Sequence, residues 1–226
     1  AGGIVGYLSE GTIENVYNTG DISGGYAGGI VGYLSEGTIE NVYNIGTVQS
    51  NKYINYDDVG DVGGIGGYLG NGVTVTNAYN KGLVSGMKHV GGIFAEGAPT
   101  LSNVKWATNP TIPVTDGFKT PQDLTYGVLN ENINISDIYN LWNIDKNGSN
   151  TSATWRIYEN KTQPFLTTFM KNVTLDSNFN VNIIDANKIT TITLEDLRKN
   201  NNTLQADLIL SDDILTLKGV GNISGL

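Results

Sequence analysis

One histidine, His89, and no cysteine leave this chain few ways to hold a metal or attack a bond. His89 has no Cys, Asp or Glu at the spacing of a local ligand motif, and no His-Glu-x-x-His is present, so peptidase chemistry of the zinc type has no residues here; His89 reads as a turn residue. Without cysteine there are no disulfides and no thiolate zinc site, and redox usage does not decide the compartment. Asp57, Asp58 and Asp61 stand beside glycines, a grouping with some character of a calcium loop but without the ligand ladder of an EF-hand. Two readings remain for them, a calcium site or a solvated acidic loop. Glycoside hydrolysis needs two carboxylates across the scissile bond, and Glu10 and Glu36 recur at matching positions, although copying of one sequence unit explains that recurrence more simply. Gly-x-Ser-x-Gly, P-loop and dinucleotide motifs are absent, so the expectation is no catalytic residue, no enzyme activity, and no cofactor unless calcium binds.

Tyrosine and asparagine carry the remaining chemistry. Tyr7, Tyr33 and Tyr68 occupy equivalent places in the sequence, as do Tyr17, Tyr43 and Tyr79. Rows of exposed aromatics could stack on sugar rings or meet a partner protein, whereas half-buried rows would shield a strand face. Asn15, Asn41, Asn77 and Asn103 also align, and stacked amides hydrogen-bonding from copy to copy form a structural ladder. Asn-x-Ser/Thr sequons, acceptors for glycosylation, occur at Asn134, Asn147, Asn150, Asn160, Asn172, Asn201 and Asn222, and none lies in the repeats.

These rows exist because the chain repeats itself. The stretch AGGIVGYLSEGTIENVYN at residues 1–18 returns letter for letter at 27–44. Gly63-Gly64-Ile65-Gly66-Gly67-Tyr68-Leu69 with Asn77-Ala78-Tyr79-Asn80 forms a third copy, and Gly91-Gly92-Ile93 with Ser102-Asn103-Val104 a fourth. Each unit contains three short apolar segments, at 3–8, 12–17 and 20–23 in the first copy, with turn residues between them. Ile4, Leu8 and their equivalents Ile30, Leu34, Ile65, Leu69, Ile93 and Ala95 stay apolar or small in every copy and should face the core. Val5 and Tyr7 begin a variable face, which drifts to Gly66, Phe94 and Glu96. Ile13, Ile39, Val75 and Leu101 form a second core column, and Ile22, Val48 and Val84 a third. The fold class expected is all-β, a right-handed parallel β-helix (solenoid), in which each copy stacks on its neighbours about 4.8 Å apart.

The pattern Gly-Gly-Ile-Val-Gly-Tyr followed by Ile-x-Asn-Val-Tyr-Asn-x-Gly-x-Ile resembles the GLUG repeat, known from large bacterial surface proteins. These include filamentous-haemagglutinin-like exoproteins and the non-catalytic parts of immunoglobulin-A-specific metallopeptidases. A second stretch, Gly117-Phe118-Lys119-Thr120-Pro121-Gln122-Asp123-Leu124, then Leu141-Trp142-Asn143-Ile144-Asp145, Trp155-Arg156-Ile157-Tyr158-Glu159 and Pro164-Phe165-Leu166, is similar to the segment closing such arrays in two-partner-secretion adhesins, with Asn160 where Gly is usual. The resemblance implies a fragment of a large secreted bacterial surface adhesin with a host-cell glycan or protein receptor and an outer-membrane secretion partner. It also implies glycosylation before export at sequons of the kind found here. A polysaccharide-acting β-helix enzyme and a purely structural spacer are the alternatives.

Composition bounds the rest. With 13 Lys and Arg against 22 Asp and Glu, a net charge of -9 makes nucleic acid an unsuitable partner, and no apolar run is long enough for membrane insertion. From Asn109 the Gly-Gly pairs stop and Pro110, Pro113 and Pro121 appear, so the repeat region is expected over 1–108, a Trp-rich closing segment with Trp142 and Trp155 over 109–170, and a β-rich spacer over 171–226. In the spacer, 172–175, 181–184, 189–194 and 208–217 read as strands and 194–199 as a short helix.

Overall fold

The computed structural model describes residues 1–50, 53–54, 58–86, 89–108, 127–146, 150, 152–157, 162–169, 171–175, 181–183, 206–211 and 214–219, with 53–54, 58–59, 108, 127–131 and the last four segments as backbone only. The protein is predominantly β, with no α-helix among the described residues. It divides into two compact units, Ala1–Trp142 and Asn143–Leu226.

The first unit runs β1 (Val5–Asn18), β2 (Ile22–Ser23), β3 (Ala27–Gly28), β4 (Val31–Asn44) and β5 (Val48–Gln49), then a small antiparallel pair β6 (Tyr53–Ile54) and β7 (Asp58–Val59). It continues with β8 (Asp61–Gly63), β9 (Gly66–Asn80), β10 (Val84–Ser85), β11 (His89–Gly91), β12 (Phe94–Gly97), β13 (Thr100–Ser102), β14 (Lys105–Thr108) and β15 (Gly127–Leu129). Equivalent strands of successive copies pair in parallel, giving one long sheet β1-β4-β9 and two narrow ones, β2-β5-β10 and β3-β8-β11. β12, β13 and β14 join the long sheet along β9, and β15 joins it through β14, so stacking carries on to Leu129.

The segments expected at 3–8 and 12–17 are one strand of 14 residues, not two. A parallel neighbour hydrogen-bonds straight through the Ser-Glu-Gly stretch, with Glu10 opposite Glu36 and Gly11 opposite Gly37, so the ladder carries on across a bend that Gly37 takes at a φ of 126° and that lets Leu34 and Ile39 both face the core. The fourth copy does break there: Pro99 lies between β12 and β13, where a residue without an N–H interrupts the ladder. A second bend comes later, at Asn15, Asn41, Asn77 and Asn103, which all hold a left-handed backbone with φ near 50°. Asparagine tolerates that conformation better than other residues with a side chain, which is why the column stays Asn.

The expected core columns are buried where neighbours cover both sides: Ile30, Leu34, Ile39, Ile65, Leu69, Val75 and Ile93 have no exposed surface. Removing one such Leu or Ile side chain from water is worth about 1.5–3 kcal/mol. Val31 and Phe94, expected on the variable face, are core residues as well, because the chain bends at the Gly-Gly pair and the alternation does not run unbroken from Ile30 into β4. Ala27, Val48, Val62, Val84 and Val90 form a second, smaller cluster beneath the narrow sheets.

The Gly-Gly pairs have a steric cause. A Cβ on Gly64 would lie 2.1 Å from the Gly92 carbonyl oxygen and 2.3 Å from Asn80 Cγ, and one on Gly92 would lie 2.1 Å from the Trp106 ring. Trp106 stands in register with Asn80, so the tryptophan ends a column of buried asparagines. Trp142 lies at the same end, donating its indole N–H to the Asn103 carbonyl at 2.9 Å.

In the second unit β16 (Ile144–Asp145), β17 (Trp155–Arg156) and β18 (Phe165–Leu166) form a small mixed sheet around the buried Trp155 and Ile157. Arg156, also buried, donates Nη1 to the Asp145 carbonyl at 3.1 Å and holds its Nε 3.8 Å from the Asp145 carboxylate. β19 (Lys171–Leu175), β20 (Val181–Ile183), β21 (Ala206–Ser211) and β22 (Ile214–Gly219) form an antiparallel sheet in the order β20-β19-β22-β21. The single strand expected at 208–217 is therefore the hairpin β21–β22: an unbroken apolar run does not reveal where a chain reverses. The strand expected at 189–194 and the helix at 194–199 lie outside the described residues.

Candidate functional site: a tyrosine face and its polar end

The parallel register that builds the long sheet also fixes the tyrosines. Tyr7, Tyr33 and Tyr68 stand opposite one another on β1, β4 and β9, with ring centroids 5.1 and 4.6 Å apart and planes within 14° and 9° of parallel. That spacing is the separation of adjacent strands, so the backbone ladder sets the stacking distance. Tyr7 is 68% exposed, and Tyr33 and Tyr68 are half-buried. Tyr26, which sequence reasoning did not single out, sets its ring edge-on to Tyr33 at 6.3 Å.

Tyr17, Tyr43 and Tyr79 stack just as closely, at 5.0 and 5.1 Å, but become covered along the row. Tyr79 is fully buried against Tyr139 and Trp142, Tyr43 is nearly so, and only Tyr17 reaches solvent. Burial, with the neighbouring phenols adding to it, holds the hydroxyls of Tyr43 and Tyr79 protonated well above the usual tyrosine range, and burial alone does the same for Tyr139.

Two asparagine ladders keep the copies in register. In the expected one, Asn77 donates to Asn41 at 3.3 Å and Asn103 to Asn77 at 3.2 Å. The other is deeper and was not anticipated: Asn18 donates to Asn44 at 2.8 Å and Asn44 to Asn80 at 2.9 Å, and each amide also reaches the carbonyl of Gly20, Gly46 or Gly82 two residues on. Its sequence signal is the recurring Asn-x-Gly at Asn18, Asn44 and Asn80.

At the fourth copy the tyrosine face turns polar. Glu96 takes the place of Tyr68 in the row, and His89 pairs in register with Asp61 on the strand beside it. His89 Nδ1 donates to Asp61 Oδ1 at 2.5 Å and lies 3.9 Å from Glu96 Oε2. His89 is therefore a strand residue with two carboxylates at hand, not a turn residue without any. Local motif spacing misses this group because Asp61 lies one repeat before His89, and the step from His89 to Glu96 matches no local ligand motif. The readable signal was the pair Asp61-Val62-Gly63-Gly64-Ile65 and His89-Val90-Gly91-Gly92-Ile93.

Of the calcium candidates, Asp61 is the residue just described, Asp58 is described only as backbone in β7, and Asp57 lies outside the described residues. Glu10 and Glu36 are exposed and directly opposite each other on β1 and β4. Among the sequons, Asn150 is exposed and its Oδ1 accepts the Ser152 backbone N–H at 3.1 Å and the Ser152 hydroxyl at 2.9 Å. Asn134 has its Oδ1 buried without a hydrogen-bond partner, and Asn172 is described as backbone only. Asn147, Asn160, Asn201 and Asn222 lie outside the described residues.

Among the described residues no helix is long and apolar enough to cross a membrane. No curated protein and no solved structure matches the chain. Residues 125–222 match the family model described as outer membrane lipoprotein carrier protein LolA. Residues 1–23 and 23–49 match the GLUG motif, so residues 1–49 are a GLUG-repeat region, and β9 and β12 continue its strand register.

Proposed function

We propose that the repeats form a right-handed parallel β-helix of a secreted bacterial surface adhesin, which attaches to a host-cell glycan or protein receptor through the row Tyr7, Tyr33 and Tyr68. The observation carrying this reading is that row, stacked at strand spacing on the outer side of the long sheet. Within the row the rings cover one another's faces. The row offers ring edges and phenolic hydroxyls repeated every 4.6–5.1 Å, which suits a ligand rich in hydroxyl or amide groups. The GLUG match supports a surface location, and an outer-membrane secretion partner would export the protein. Asn150 is the described sequon best suited to carry a sugar, since it is exposed and bonded to its own Ser152. Intact mass of native protein with and without Asn150→Gln tests this: equal masses, apart from the substitution itself, remove Asn150.

The test of the main reading is a glycan array and host-cell monolayers probed with the full chain, with calcium and with chelator, alongside an assay for reducing-sugar release. Saturable binding without cleavage, lost in the triple variant Tyr7→Ala, Tyr33→Ala, Tyr68→Ala, is the expected result. Unchanged binding by that variant removes the row from the mechanism. Absence of any binding favours the spacer, and sugar release the enzyme. A second reading concerns residues 125–222, where the LolA match favours a role in carrying a lipoprotein. A fluorescent acyl probe that gains no signal with the chain would end it.

A further inference from the structure

We infer that Asp61, His89 and Glu96 form a binding site for a divalent transition-metal ion of the zinc class. The three come from separate strands, β8, β11 and β12, and their donor atoms Oδ1, Nδ1 and Oε2 all lie within 4.8 Å of one another. Donors bound to one ion at about 2.0–2.2 Å sit roughly 3–4 Å apart, so the Glu96 contact at 3.9 Å already has that spacing. The Asp61 contact of 2.5 Å opens by less than 1 Å, a small side-chain rotation, as the ion replaces the proton on Nδ1.

Charge favours an ion here. Asp61 and His89 are 3% and 8% exposed, and Asp61 sits close to a second carboxylate, Glu96. Two carboxylates and a neutral imidazole around a divalent ion sum to zero, which is the least costly state for a group this deeply buried. An imidazole donor selects zinc and its first-row neighbours over calcium, which prefers oxygen alone. The repeat makes the group stand out further. The place held by His89 and Asp61 is that of Tyr26 one copy earlier, and Glu96 ends the tyrosine row, so on an otherwise copied backbone the aromatic surface gives way to three donors. The ion would tie the third copy to the fourth at the end of the tyrosine face.

His89 is the only histidine, so its imidazole resonances report on this site without assignment ambiguity. The experiment titrates the full chain with zinc, and separately with calcium, following the imidazole nitrogens by NMR and affinity by chelator competition. Expected are one zinc per chain, a shift of the Nδ1 resonance with zinc and none with calcium. The half-exposed variant Glu96→Gln, checked for native circular dichroism, should bind at least about tenfold more weakly. An unmoved imidazole in the wild-type chain at saturating zinc overturns the site, and so does a Glu96→Gln variant that binds as wild type. Calcium shifting the imidazole as zinc does would overturn the metal class.

Discussion

The two tyrosine rows are built from the same residue at the same repeat spacing, stack at nearly the same distance, and have opposite surroundings. Tyr7, Tyr33 and Tyr68 lie on the outer side of the long sheet, while Tyr43 and Tyr79 are buried, Tyr79 beneath Tyr139 and Trp142. Strand spacing alone decides the stacking; what packs over a row decides whether the stack stabilises the fold or meets a ligand.

The sharpest way to break this comparison is to truncate one ring from each row. Tyr79→Ala should destabilise the first unit by about 3–5 kcal/mol through the cavity it leaves, whereas Tyr7→Ala should stay within about 0.5 kcal/mol. Urea unfolding measures both, and equal losses would contradict the difference in burial between the rows. Asn44→Ala comes next, since it strips bonds from Asn18, Asn80 and the Gly46 carbonyl in a buried ladder; about 2–4 kcal/mol is expected in the same assay. Asn41→Ala, at the bend, should cost only about 1–2 kcal/mol for the left-handed backbone.

Alkali sharpens the contrast from the inner side. Tyr43, Tyr79 and Tyr139 hold their protons more tightly folded than unfolded, so the stability they contribute is complete below pH 10 and is lost as pH rises above it. The loss should be about 1.4 kcal/mol per pH unit for each such tyrosine. Urea midpoints that do not fall between pH 10 and 11, or a Tyr79→Phe variant that falls as steeply as wild type, would contradict this. The smallest effect belongs to the outer face: Glu36→Gln removes a like charge opposite Glu10 and should stabilise by a few tenths of a kcal/mol, more at low salt than at high. For ligand binding, replacing the outer row by phenylalanine separates hydroxyl recognition from ring contact. Binding should drop with Phe almost as far as with Ala, because the stacked faces are covered.

The core columns, the αL-compatible Asn column and the parallel stacking were legible because a repeat puts equivalent residues side by side, so comparing copies replaces comparing relatives. That one strand runs through Ser-Glu-Gly was not legible: the turn residues bend the chain there, and only the neighbouring copy shows that the ladder continues across the bend. The Asn18, Asn44 and Asn80 ladder hid in plain sight, since Asn before Gly reads locally as a turn and its buried bonds run between copies.

The sequence by itself determined that copies stack and which residues share a column, because a fixed register follows from near-identical units. Only the tertiary structure decided which tyrosine column faces solvent, and that Asp61, His89 and Glu96 meet. Those outcomes depend on where the chain bends between sheets and on contacts across 28 residues of sequence, which local spacing does not encode.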